Sequence, residues 1–210
     1  MLFSCLGGGY GGYALAADAL PLWEQAAALA RTAEFGASRA ERMTAAQAGM
    51  TITDQCVQKF PRQAACYYFR ATLTGLYYQM HIFGYQEGLA RMLKDAAQVN
   101  ALDPSCAGAG GYRIIGQIYA QVPSIALGSG SIVRDLKKSR AALTKAVALA
   151  PQNIDNEISL CQTLTLLEDW SAARTACGVA RQLLPQHCTE PSCAGFEAIL
   201  LRCEKRLAHH

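Results

Sequence analysis

The chain has 210 residues, 51% apolar and 17% charged, long enough to enclose a full hydrophobic core, and its weighting toward Ala, Leu and Gln leans helical. Nineteen basic against sixteen acidic residues leave a formal charge of +3, too balanced to grip a nucleic-acid backbone. No apolar run reaches the roughly 18 to 20 residues that cross a bilayer.

The chain opens on residues 1–14, a Gly-rich stretch suited to a flexible tether. Within it "LFSC" approximates the end of a lipoprotein signal and marks Cys5 as a lipidation candidate; Phe3 is bulkier than such a signal prefers, and the reading requires a longer leader ahead of Cys5. A single folded domain is expected over 15–208. Its first helices fall at 16–33 and 38–59, where "LWEQAAALARTAE" and "SRAERMTAAQAGMTITDQCV" carry a 3.6-residue apolar period. Pro61 ends the second. Cys56 and Cys66 flank that proline symmetrically, so they either meet across a helical hairpin turn or stay as small buried hydrophobes.

The third predicted helix, 63–81, belongs to "CYYFRATLTGLYYQMHIFGYQ", residues 66–86, which holds seven of the chain's seventeen aromatic residues and no charged side chain from Ala71 to Gln86. On a helix, Cys66, Phe69, Leu73, Leu76, Met80 and Phe83 share one apolar stripe, an ordinary core face. A second stripe, about 100° around the helix, reads Tyr67, Ala71, Thr74, Tyr78, His81 and Tyr85, and its bulky members each put one polar atom on a largely apolar body. Such a face packs between helices with its hydroxyls reaching water, or lines a cavity where a ligand hydroxyl meets them. His81 has no cysteine or carboxylate at ligand spacing on its face, so it reads as a pocket or core histidine rather than a metal ligand.

Further helices are expected at 85–100, 107–121, 133–149, 154–167, 170–184 and 191–207. In the helix near Ala107, Tyr112, Ile115 and Tyr119 offer an opposite wall to the aromatic face, and Gly116 and Ala120 let another helix approach closely. The stretch 121–133, "QVPSIALGSGSIV", breaks the helical pattern, and its Ile125 and Leu127 suggest an apolar flap or a plain surface excursion. Arg134, Lys137, Lys138, Arg140 and Lys145 form the densest basic cluster, a solvated helix face or a contact for anionic headgroups in peripheral membrane association. Cys188 and Cys193 bracket a short loop containing Pro191 and make a second candidate disulfide. Nine cysteines without a CxxC pair favour an oxidising compartment over a zinc or haem site, and no metal or cofactor is expected.

A repeat underlies these elements. "RAALTKAVALAPQ" (140–152) and "RTACGVARQLLPQ" (174–186) align at a separation of 34, pairing Arg140 with Arg174, Ala146 with Ala180, Leu149 with Leu183 and Pro151 with Pro185. Thirty-four residues is the tetratricopeptide period, so the fold class is all-α: stacked helical hairpins in a compact bundle, with proline stopping the second helix of each pair and 191–207 capping the end.

"YYFRATLTGL", "GYRIIGQIYAQVP", the Gly/Ser-rich interruption and "KSRAALTKAVALAPQN" together resemble the tetratricopeptide-like T components of TRAP transporters, which are periplasmic lipoproteins. The likeness runs over about residues 15 to 185. It implies an all-helical bundle with an apolar pore or cavity, tethered at the outer membrane and handing on hydrophobic molecules, and it extends to the related outer-membrane-associated component of a bacterial sterol transporter. On that basis Tyr67, Thr74, Tyr78, His81, Tyr85, Tyr112, Ile115, Tyr119, Ile125 and Leu127 would line a lipid or sterol site. No GxSxG, HExxH, Walker A or dinucleotide fingerprint occurs, so catalysis is not expected. The competing expectation is a scaffold whose concave repeat face docks a TRAP-type substrate-binding protein.

Overall fold

The computed structural model describes residues 20–126, 128, 130–188 and 192–210, and within them the chain is all-α. Residues 1–14 with Cys5, and also Leu127, lie outside the described residues. The helices are α1 (Leu22–Phe35), α2 (Arg39–Lys59), α3 (Ala64–Met80), α4 (Tyr85–Leu102), α5 (Cys106–Gln121), α6 (Leu136–Leu149), α7 (Ile154–Leu166), α8 (Trp170–His187) and α9 (Cys193–Leu207). They fall into two compact units that divide within α5, between Ile114 and Ile115.

In the first unit α2 packs on α1 and α3, α1 also reaches α3, and α4 packs on α3. Gly49 of α2 permits the α2–α3 approach: a Cβ there would stand 2.6 Å from a Leu73 methyl. Arg70 of α3 makes a forked ion pair with Asp95 of α4, Nε to Oδ2 at 2.8 Å and Nη2 to Oδ1 at 2.6 Å, and Asp95 is only 1% exposed. Asp54 on α2 receives a further bond from Arg70 at 3.2 Å and pairs with Arg91 of α4. The Asp95 hydrogen bonds, ahead of the opposing desolvation, hold the Arg70 guanidinium above its ordinary pKa.

The start of α5 departs from a regular helix. Ala107, Gly108 and Ala109 have φ of 52°, 62° and 62°, a left-handed turn that costs roughly 1–2 kcal/mol for each alanine. Arg113 offsets that cost, its buried guanidinium donating to the carbonyls of Ala107 and Gly108 and to the Tyr68 hydroxyl at 3.2–3.3 Å.

In the second unit α6 packs on α7, α7 on α8, and α9 on both α7 and α8. Gly116 admits α6 as its small size predicts, since a Cβ there would lie 2.4 Å from Leu143. The core joins Ile154, Ile158 and Leu164 of α7 to Leu183 and Leu184 of α8 and Leu200 of α9. Asn156, fully buried, donates from Nδ2 to the carbonyls of Ala146 and Ala150 and so caps the last turn of α6. The 34-residue period extends to the caps: Asp135 and Asp169 each accept from the third amide of the following helix, Lys138 and Ala172. The Lys138 amide, first among the causes, holds the Asp135 carboxyl below its ordinary range.

The prolines do not act alike. α6 ends at Leu149, ahead of Pro151, but α8 runs through Pro185 to His187 instead of stopping at 184. A proline in the last turn removes only the bond to the carbonyl four residues back, here Arg181, and the buried Leu183, Leu184 and His187 keep that turn on the core.

Cys56–Cys66 joins α2 to α3, and Cys188–Cys193 spans the approach to α9, both at the pairs named from the sequence. A third bridge, Cys161–Cys177, sews α7 to α8 at a pair that no proline marks, and Cys106 is disulfide-bonded as well. These bridges indicate an oxidising environment. No described helix is long and apolar enough to cross a membrane.

Glu157 of α7 is 5% exposed, and burial raises its carboxyl above the ordinary value of about 4.5. The folded state therefore keeps its proton to higher pH than the unfolded chain. That contribution to stability is complete below pH 4.5 and is lost as pH rises through the folded value. Glu157→Gln is expected to raise the melting temperature at pH 7, with the gain vanishing near pH 4. A gain of equal size at both pH values would contradict this account of Glu157.

Candidate functional site

α3 changes character along its length. Its first half, from Ala64 to Thr74, is largely buried, whereas Gly75 to Met80 are half-buried or exposed, so the helix emerges from the core toward its C-terminal end. The apolar stripe follows that gradient. Cys66, Phe69 and Leu73 are core residues, Leu76 and Met80 are half-buried, and Phe83 lies past the end of the helix at 78% exposure.

The polar-tipped stripe is divided by the same gradient. Tyr67, at the buried end, donates its hydroxyl to the Pro61 carbonyl at 3.1 Å and lies beneath the Arg70 guanidinium, so it braces the α2–α3 turn. It stands about 16 Å along the helix from Tyr78. Thr74 is fully buried, and its Oγ1 has no hydrogen-bond partner among the described residues. Tyr78 lays its ring on Gly88 of α4, where a Cβ would come within 2.2 Å of the ring.

His81 is the residue that terminates α3, its N–H donating to the Tyr77 carbonyl, and its ring leaves the helical register. The ring centre sits 5.1 Å from that of Tyr77, 6.4 Å from Tyr78 and 5.9 Å from Phe83. Tyr77 and Tyr78 meet edge to face at 5.1 Å. Tyr85, half-buried, opens α4. The structure thus gathers Tyr77, Tyr78, His81 and Phe83 into one group at the open end of α3. Tyr77 escapes a stripe analysis because it belongs to neither stripe; the tandem "YY" is the only signal for it.

Beside this end a cleft of about 210 Å³ opens between Ala33 and Glu34 of α1, Arg42 of α2, and Leu76, Gln79 and Met80 of α3. Its lining exposes more polar than apolar surface, with Glu34, Arg42 and Gln79 beside Ala33, Leu76 and Met80. Arg39 of α2 closes the nearby end of α3 by donating to the Met80 carbonyl at 2.6 Å. At that volume the cleft falls below the roughly 300–1,000 Å³ of a complete small-molecule site.

The remaining candidates lie elsewhere in the chain. Tyr112 belongs to the first unit, half-buried on α5. Ile115, Tyr119 and Ile125 belong to the second. The Tyr119 ring lies under Lys138 Nζ at 5.1 Å, and its carbonyl accepts the Asp135 amide. Ile125 is 76% exposed in the loop between α5 and α6. Bonds from the Arg134 amide to Pro123 and from Arg134 Nε to Val122 fasten that loop at its ends. Among the described residues, metal-ligating atoms come together only at Cys161, Cys177 and Cys203 and at Cys188, Cys193 and Glu197, and His81 is in neither group.

The arrangement at the end of α3 can bury apolar ligand surface and offer hydroxyl and imidazole hydrogen bonds around it. Compared with known proteins, the chain matches no family profile and no curated sequence.

Proposed function

We propose that this is a non-enzymatic binding and carrier protein for a hydrophobic ligand, a lipid with sterols as the leading class, acting in envelope transport. The observation that carries this reading is the polar-tipped aromatic group Tyr77, Tyr78 and His81, placed where α3 leaves the core, at the same end of the helix as the small cleft between α3 and the α1–α2 pair. Binding comes from burying ligand carbon, worth roughly 25 cal/mol per Å² before ordering costs. Orientation comes from the tyrosine hydroxyls, the His81 imidazole and the buried Thr74 hydroxyl, for which a ligand hydroxyl or a bridging water is a suitable partner.

The disulfides suit the periplasm, and the resemblance to TRAP-associated T components supports work beside a transporter component at the envelope. The exposed Ile82 and Phe83, 72% and 78% accessible, favour the second reading, a scaffold that docks a periplasmic binding protein.

Organic-solvent extraction of the purified protein, with mass spectrometry of the extract and thermal-shift assays against a sterol and a fatty acid, separates the two. Co-purifying lipid, or stabilisation by either probe, is the expected result. An empty extract and no shift, with a binding protein captured instead, overturns the carrier reading.

A further inference from the structure

We infer that Cys161, Cys177 and Cys203 form a three-sulfur exchange site, in which the thiol of α9 takes over either half of the disulfide that joins α7 to α8. Each of the three helices supplies one sulfur, and the three Sγ atoms all lie within 4.8 Å of one another. Cys161 and Cys177 are bonded together, while Cys203 is free. A sulfur at that range travels no more than about 3 Å to reach the roughly 2.05 Å of an S–S bond.

The reaction is an interchange with no net oxidation. Cys203 loses its proton to solvent, and its thiolate attacks Sγ of Cys177 or of Cys161. The Cys161–Cys177 bond breaks as the new S–S bond forms, and the displaced sulfur leaves as a thiolate that takes up a proton. The covalent staple then joins α9 to α8 or to α7, and one thiol remains in place of another.

The fold holds this reaction in check. All three cysteines are at most 4% exposed, and burial pushes the Cys203 thiol up, with the Thr165 hydroxyl pulling the other way, so the attacking thiolate is scarce. Exchange therefore waits for α9 to loosen. That helix is held by Leu200 and Leu207 in the core and by a half-exposed Arg181–Glu204 fork, Nε to Oε1 at 3.0 Å and Nη2 to Oε2 at 2.6 Å, and these contacts must give way together before Cys203 is released.

The test uses the full-length oxidised protein in urea below its unfolding midpoint, at pH 7 and pH 8. Samples are quenched in acid at intervals, unfolded, alkylated with N-ethylmaleimide and mapped by peptide mass spectrometry. A parallel sample alkylated during incubation reports when Cys203 becomes accessible, and so when α9 has opened. The expected result is a label that moves from Cys203 to Cys161 or Cys177 at a constant number of free thiols. Its rate should be about tenfold higher at pH 8 than at pH 7, since the thiolate is the nucleophile. If Cys203 becomes accessible in the parallel sample while the quenched label stays on Cys203 alone, the exchange site does not exist. Should opening never reach Cys203 in urea, Cys177→Ser exposed to oxidised glutathione decides: a folded variant that forms Cys161–Cys203 supports the site, and one that keeps those two positions unlinked overturns it.

Discussion

Asp95→Ala is expected to cost about 3–5 kcal/mol of stability, because it strips the partner from a largely buried guanidinium. Asp95 is 1% exposed and the Arg70 side chain 16%, so neither charge has much access to water, and both carboxylate oxygens are taken by Arg70. Removing the acid leaves Arg70 with Asp54, which is 51% exposed and screened by solvent. Asp54→Ala should accordingly cost less than about 1 kcal/mol. Replacing the buried pair together, Arg70→Met with Asp95→Leu, should recover most of the loss, since two apolar side chains of similar volume need no desolvation. Urea unfolding at pH 7 measures all three. A loss below about 1 kcal/mol for Asp95→Ala would mean that water reaches Arg70 and the pair is not a buried one.

Leu73→Ala is expected to cost about 3–5 kcal/mol, the upper part of the range for emptying a leucine site in a packed core. Leu73 is fully buried, and its methyls sit where a side chain on Gly49 would otherwise be. The same geometry predicts non-additivity. Gly49→Ala alone drives a Cβ to 2.6 Å from Leu73 and is destabilising, but beside Leu73→Ala that methyl occupies part of the vacated volume. The double variant should therefore be more stable than the sum of the single losses by about 1 kcal/mol or more. Strict additivity would show that α2 and α3 are not in contact at this crossing.

Much of the fold is legible in the sequence because helix boundaries are local. Ser38, Asp135, Asn153 and Asp169 are N-cap residues whose side chains accept from the following turn, and each stands at or within a few residues of a predicted helix start. The 34-residue alignment is legible for the same reason, since Asp135 and Asp169 repeat the same cap at the same spacing. Pro185 misleads because the effect of a proline depends on how many turns follow it, which packing of Leu183 and Leu184 decides. The left-handed turn at Ala107–Ala109 is invisible in advance, since alanine is the strongest helix former and only the distant Arg113 and Tyr68 explain it.

The candidate site was legible in composition but not in arrangement. The aromatic richness of residues 66–86 marks α3, and the stripe analysis separates its core face. Yet the stripe treats Tyr67 and Tyr78 as equivalent, whereas one is tied to Pro61 and the other rests on Gly88. It also places His81 on the helix it terminates. Cys161–Cys177 is not legible for a different reason: Cys177 aligns with Leu143 at the 34-residue separation, where a cysteine looks like any small core residue.

Titration of a fluorescent sterol into the wild-type protein, into Tyr78→Ala with His81→Ala, and into Lys137→Ala with Lys94→Ala tests the central claim most directly. Lys138 is left intact as a control position because it rests on the Tyr119 ring. The account predicts affinity at least about tenfold weaker for the aromatic double variant, the equivalent of 1.4 kcal/mol, and wild-type affinity for the lysine pair. Equal affinities in all three proteins, with circular dichroism showing each folded, would contradict a ligand site at the end of α3.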